Sequence, residues 1–171
     1  MPRSKPKPGS SLAPGERNPN PLILLNGKQV RIAARLSWLA NFFSGPLYRE
    51  IELNYGLTRP EFTVLHCLAQ CPNMAAQDTS LMTGQAKNTL SRAIRRLLQR
   101  GHIDRTDDAL DARALLLTLT DSGADLYGQL IGSFVRRERE MLCPLTDGER
   151  ADLDRLLGKL VVRSDDWARR Y

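Results

Sequence analysis

"GQAKNTLSRAIRRLLQRG", residues 84–101, carries five basic side chains (Lys87, Arg92, Arg95, Arg96 and Arg100) and no acid. Leu90, Ile94, Leu97 and Leu98 are interleaved with them. At about 100° per residue these four share one side of a helix, while Asn88, Arg92, Arg95 and Gln99 fall on the opposite side. The apolar side calls for burial. The other side suits a polyanion, because carboxylates there would repel phosphates. The spacing predicts a helix from about Ala86 to Arg100, stopped by Gly101.

The neighbouring segments give this helix a context. "GLTRPEFTVLHCLAQCP", residues 56–72, predicts a helix opened by a Thr58/Glu61 capping box around Pro60. Its buried face is expected at Phe62, Leu65, Leu68 and Ala69, and Pro72 stops it. "NMAAQDTSLMTG", residues 73–84, reads as a short helix closed near Gly84. After Gly101 the period changes. "HIDRT" (102–106) and "ALLLTLT" (114–120), separated by "DDALDAR", predict a two-stranded hairpin with a charged tip. Two short helices, a basic helix and a hairpin follow the order of a winged helix-turn-helix, with the basic helix in the DNA major groove and the hairpin as the wing.

Longer helices flank this core. From Lys28 to about Asn54, apolar residues recur at Ile32, Leu36, Leu39 and Phe43, widened by Trp38, Phe42 and Leu47. Asn26 is a candidate cap with Gln29 as its partner. Gly45-Pro46 is expected to bend or interrupt this helix. Thr120 opens another helix, with Asp121 and Asp125 near its positive end and an apolar stripe at Tyr127, Leu130, Ile131 and Phe134. Leu142 ends it before Pro144. The last helix, in "LTDGERADLDRLLGKLV", has a Thr146/Glu149 capping box and a stripe at Leu153, Leu156, Leu157 and Leu160.

Residues 1–21, rich in Pro, Ser, Gly, Lys and Arg, are expected to be a disordered basic tail. The remainder, 22–171, reads as one domain: a winged helix at about 56–120, and further helices at about 26–54 and 121–165. The fold class is mainly α. The net charge of +6 favours an anionic partner. An aromatic content of 6% argues against a base-stacking surface for single strands. No apolar run approaches the roughly 20 residues of a membrane span, and the N-terminus lacks a signal-peptide core. Three cysteines, an odd number, read as reduced thiols. The expected compartment is the cytoplasm.

The chain resembles the multiple-antibiotic-resistance regulator (MarR) family from about Lys28 to its end. "GLTRPEFTVLHCLA", "NTLSRAIRRLLQRGHIDR" and "DALDARALLLTLTDSG" carry the resemblance, in the family's order and spacing. The last contains the family's D-x-R wing tip, Leu-rich strand and L-T-x-x-G helix start. The resemblance implies a homodimer interlocked through its terminal helices, a pseudo-palindromic DNA site, and a small ligand, often an aromatic acid, that releases DNA. It places Asn88, Thr89 and Arg92 at bases and nearby phosphates. Asn can read adenine and Arg can read guanine by paired hydrogen bonds. Lys87, Ser91, Arg95 and Arg96 are assigned to phosphates. Arg113 matches the wing arginine that enters the minor groove, with Asp111 bracing it or the wing turn. Two features depart from the family pattern. Gln85 stands where an apolar residue is usual, and the wing carries Asp107, Asp108 and Asp111 against only Arg105 and Arg113.

Other residues admit competing readings. Cys67 and Cys71, with His66 beside them, could form a metal or redox site; buried inert thiols explain them better, since zinc wants more ligands at short spacing. His66 is a satisfied semi-buried histidine or a ligand contact. Arg31 and Arg35, one turn apart near Trp38, suit a ligand carboxylate, a solvated face or an ion pair between subunits. No nucleophile elbow, phosphate-binding glycine loop or H-E-x-x-H motif occurs, so an enzyme is not expected, and neither is a cofactor or a metal. The reading is a ligand-responsive repressor that binds double-stranded DNA and a small aromatic carboxylate, with ligand residues Arg31, Arg35, Trp38 and His66. The alternatives are a winged-helix architectural or RNA-binding protein without a ligand, and a module docking an acidic protein.

Overall fold

The computed structural model describes residues 29–107, 115–164 and 166. The chain divides into two compact units, Met1–Asn41 and Phe42–Tyr171. In the first, the described residues form the opening turns of helix α1, which spans Arg31–Tyr55. The helix begins three residues later than Lys28, and Asn26 lies outside the described residues. Pro46 sits inside α1 without interrupting it. A proline has no N–H to give the carbonyl four residues earlier. Here Arg137 Nη2 donates to that carbonyl, Phe42 O, at 2.6 Å. A distant guanidinium thus makes a bond that the proline cannot, and no local pattern predicted it.

The second unit contains the expected order with one addition. Helix α2 (Arg59–Gln70) opens with the Thr58/Glu61 capping box. The Glu61 carboxylate accepts from Thr58 N at 2.7 Å and Thr58 Oγ1 at 2.6 Å. Strand β1 (Met74–Ala75) then precedes helix α3 (Ala76–Thr83). Gly84 ends α3 in the left-handed region at φ 64°. Helix α4 (Lys87–Gln99) leads into strands β2 (Ile103–Asp107) and β3 (Leu115–Leu119). The sheet is antiparallel in the order β1-β3-β2, with Met74 opposite Leu117 and Ile103 opposite Leu119. The two-residue β1 was not expected. It is too short to show a period of two and exists only because β3 offers it an edge.

Helix α5 (Asp121–Leu142) and helix α6 (Asp147–Val162) complete the unit, and α6 has the expected Thr146/Glu149 box. The core lies where α2, α4, β3 and α5 meet. Leu65, Leu68, Leu90, Leu97, Ile103, Leu117 and Leu130 are all buried within it. The buried face of α2 is wider than expected, because Val64 and Cys67 join it, while Ala69 is only half-buried. On α4, Ala93 is buried as well, and Leu98 is half-buried.

Candidate nucleic-acid interface

Burial of Leu90, Ala93, Ile94 and Leu97 sets the rotation of α4 about its axis. That rotation leaves Asn88, Arg92, Arg95 and Gln99 exposed, as the spacing predicted, and Lys87, Thr89, Ser91 and Arg96 exposed as well. The ion pairs among the described residues lie elsewhere, at Arg150–Asp147, Arg155–Asp152 and Arg163–Asp166. Among those residues, no carboxylate neutralises the cations of α4. The N-cap, Ala86, makes no side-chain hydrogen bond. The first-turn N–H groups of α4 therefore add their partial positive charge to the same end. Ser91 Oγ donates to Lys87 O at 2.9 Å, so its one hydrogen must turn away from the helix to reach a phosphate.

Gln85 sets the entry to α4. Its Nε2 donates to Thr63 Oγ1 on α2 at 3.0 Å, and its carbonyl accepts from Ser80 Oγ at 2.8 Å. A polar tether thus occupies the place where an apolar residue is usual in the family pattern. At the other end, Gly101 has φ 68°. Gly101 N donates to Leu98 O at 3.1 Å and His102 N to Leu97 O at 3.0 Å, which is a Schellman closure.

Arg100 departs from the other four cations. Its Nη1 donates to Gly56 O at 3.1 Å and its Nη2 to Tyr55 O at 3.0 Å. Both of its terminal nitrogens thus bind the end of α1.

The L-T-x-x-G motif also acquires a reason. Thr120 N donates to His102 O at 3.2 Å, and Thr120 Oγ1 donates to Gly101 O at 2.7 Å. The same hydroxyl oxygen accepts from Gly123 N at 3.1 Å, capping α5. Gly123 then passes so near His102 that a Cβ would overlap the His102 carbonyl oxygen. The glycine is required by this close approach and not by an unusual φ. Burial holds the His102 imidazole below its ordinary pKa; Arg100 lowers it further, while Glu61 acts in the opposite direction. Arg113 and Asp111, expected at the wing tip, lie outside the described residues.

His66 is exposed rather than semi-buried, but it is partnered: Nδ1 lies 3.0 Å from Tyr127 Oη on α5. Its ring is parallel to Phe62, within 10° and at 6.0 Å, and Phe62 stacks in turn on Phe134 at 4.3 Å. Tyr48 meets both phenyl rings edge-on, and Arg59 lies 5.0 Å above Tyr48. Sequence periodicity placed Phe62 on the apolar face of one helix and Tyr127 and Phe134 on that of another; only the packing joins them with Tyr48 and His66. Arg31 and Arg35 are exposed and Trp38 is half-buried on α1, in the first unit.

The three cysteines are free thiols, with Cys67 buried. Burial pushes the Cys67 thiol up, and neighbouring Cys71 adds to the shift. Cys71 is exposed at the C-cap of α2, so the expectation of two buried thiols holds for Cys67 alone. The helix ends at Gln70, which turns Cys71 out of the core. No group of three metal-ligating side chains occurs among the described residues. No described helix is long and apolar enough to cross a membrane.

Residues 55–114 match the model of the MarR family, from the end of α1 through the wing. The HTH-type transcriptional regulator YwaE of Bacillus subtilis (strain 168) is 25% identical over 141 residues, 82% of each chain. The HTH-type transcriptional repressor Mb2911 of Mycobacterium bovis is 31% identical over 108 residues, 61% of this chain and 76% of that one. The PcaV transcriptional regulator of Streptomyces coelicolor, solved with its natural ligand, superposes with a TM-score of 0.61 at 26% identity, covering 84% of this chain and 96% of PcaV. An acid-free basic helix that runs into a three-stranded wing sheet, together with these matches, places the chain in the MarR family of winged-helix transcriptional regulators.

Proposed function

We propose that this regulator is a homodimeric repressor that reads a pseudo-palindromic operator with α4 in the major groove and is released by a small aromatic or heteroaromatic acid. The observation that carries the DNA reading is the exposed face of α4. Lys87, Arg92, Arg95 and Arg96 stand there without a carboxylate partner among the described residues, and the N-terminus of α4 has no side-chain cap. Arg92 with Asn88 and Thr89 reads bases, the other cations and Ser91 hold phosphates, and Arg113 enters the minor groove.

The test separates base readout from phosphate contact. Arg92→Ala should lower affinity for an operator selected by the wild type by about ten- to a hundredfold, as for one paired base contact of about 1–3 kcal/mol. It should change random-duplex affinity much less. Arg96→Ala should weaken both similarly and reduce the salt slope by about one. Equal losses for Arg92→Ala on both duplexes would remove it from the reading set. A wild-type protein with no sequence preference would fit an architectural role instead.

The dimer rests on α6, which buries no residue within one chain. The effector class rests on cationic and aromatic groups suited to a planar carboxylate. PcaV, a structural relative, was solved with its natural ligand. Arg31 and Arg35 with Trp38 on α1 form one candidate anchor; His66 beside Tyr127 forms the other. A panel of hydroxybenzoates, hydroxycinnamates and hydroxynicotinates should contain a compound that dissociates the protein–operator complex. Arg31→Ala and Arg35→Ala should then weaken direct binding of that compound. Unchanged affinity in both variants moves the site to His66, and no release by any member overturns the effector class.

A further inference from the structure

We propose that Arg100 is a positioning residue for DNA reading: its guanidinium fork ties the end of α4 to the end of α1 and so fixes the tilt of α4 without touching DNA. This rests on the proposed role of α4 in the major groove.

Arg100 is the C-cap of α4, and Tyr55 is the last residue of α1. The Tyr55 carbonyl is among those that a helix end leaves without intrahelical partners, and the Gly56 carbonyl follows it just past that end. Arg100 satisfies both, through two separate nitrogens at 3.0 and 3.1 Å. The pair is charge-assisted, and the negative end of the α1 dipole favours a cation there. A single hydrogen bond would restrain distance alone. Two bonds from one planar group restrain orientation as well.

The fork also stands far from the reading end. Asn88 precedes Arg100 by twelve residues, about 18 Å along a helix. A tilt of about 3° at the fork would move Asn88 by roughly 1 Å, enough to spoil a paired hydrogen bond. The reading end is held by Gln85, which bonds Thr63, Ser80 and Thr83, and has no side-chain cap. The fork restrains the opposite end, where a small rotation is amplified along the helix. Arg100 is one of five cations in a short basic stretch, yet both terminal nitrogens are engaged within the protein. It should contribute to specificity while contributing nothing to the count of phosphate contacts.

The experiment uses the full-length protein and an operator selected from random duplexes by the wild type. Affinities for operator and random duplex are measured across salt concentrations, at a temperature where circular dichroism shows each variant fully folded. Arg100→Ala should lose about tenfold on the operator, of the order of one misaligned base contact. It should keep the random-duplex affinity and the salt slope of the wild type. Arg100→Lys, which retains the charge without the planar fork, should fall between them and serves if Arg100→Ala does not fold. Arg92→Ala is the control.

Loss on both duplexes with a salt slope smaller by about one would make Arg100 a phosphate contact and overturn the inference. Unchanged operator affinity per folded molecule would reduce Arg100 to a stabilising cap and overturn it equally. If Arg92→Ala loses specificity and Arg100→Ala does not, positioning alone fails. If neither does, or the wild type selects no sequence, the reading by α4 fails and positioning fails with it.

Discussion

Ending the chain before Leu145 should lower affinity for the full operator by about 10²–10⁴-fold, to the level of a single half-site. The truncation removes α6, whose Leu156, Leu160 and Val161 are 51%, 54% and 69% exposed in the single chain. A helix with a capped start and a leucine stripe, yet no buried residue, is stabilised poorly by its own chain. On α5, Val135 and Met141 are also exposed. Covering half-exposed side chains of this size contributes about 1 kcal/mol each. A second subunit covering this set would gain several kcal/mol per chain. Without it, two winged domains are no longer held at the spacing of two half-sites, and each binds alone. Sedimentation should show a monomer or insoluble protein. A soluble, folded monomer that binds the full operator as tightly as the intact protein would dispose of the dimer reading.

Gly123→Ala should destabilise the protein by about 1–3 kcal/mol net, although Ala is the better helix former by about 1 kcal/mol. The added Cβ overlaps the His102 carbonyl oxygen, which is backbone and cannot turn aside. Relief requires α5 to move away from the turn after α4. That motion strains Thr120 N to His102 O and Thr120 Oγ1 to Gly101 O, and with them the cap on Gly123 N. Overpacking costs about 1–3 kcal/mol, and a lost cap about 1 kcal/mol. Gly128→Ala, five residues along α5 with nothing near its Cβ position, should be neutral or stabilising. Urea unfolding should show a lower midpoint for Gly123→Ala and an unchanged or higher one for Gly128→Ala. A midpoint for Gly123→Ala at or above that of the wild type would show that the close approach is not maintained in solution.

What the sequence alone determined about this protein was whatever repeats locally. The apolar spacing of α4 set which side is buried and which cations face outward. The Thr58/Glu61 and Thr146/Glu149 boxes marked two helix starts, because their bonds span three residues. The Leu- and Thr-rich segments marked the hairpin. The motifs also carried the family, because they keep its order. The tertiary structure decided everything that depends on partners distant in the chain. Arg100 was one of five cations in a basic stretch, with no role assigned, until its fork met carbonyls 44 and 45 residues away. Gly45-Pro46 was expected to bend or interrupt α1, but the helix runs through it and Arg137, 95 residues from Phe42, supplies the missing donor. Strand β1 has too few residues to announce itself and forms by pairing with β3. Cys71 shares a heptad-like spacing with Cys67 yet leaves the core because α2 ends one residue earlier. Helical and strand periods are imposed by the backbone and can be read from one segment. A hydrogen bond or a steric approach between segments exists only once packing has brought the two backbones together.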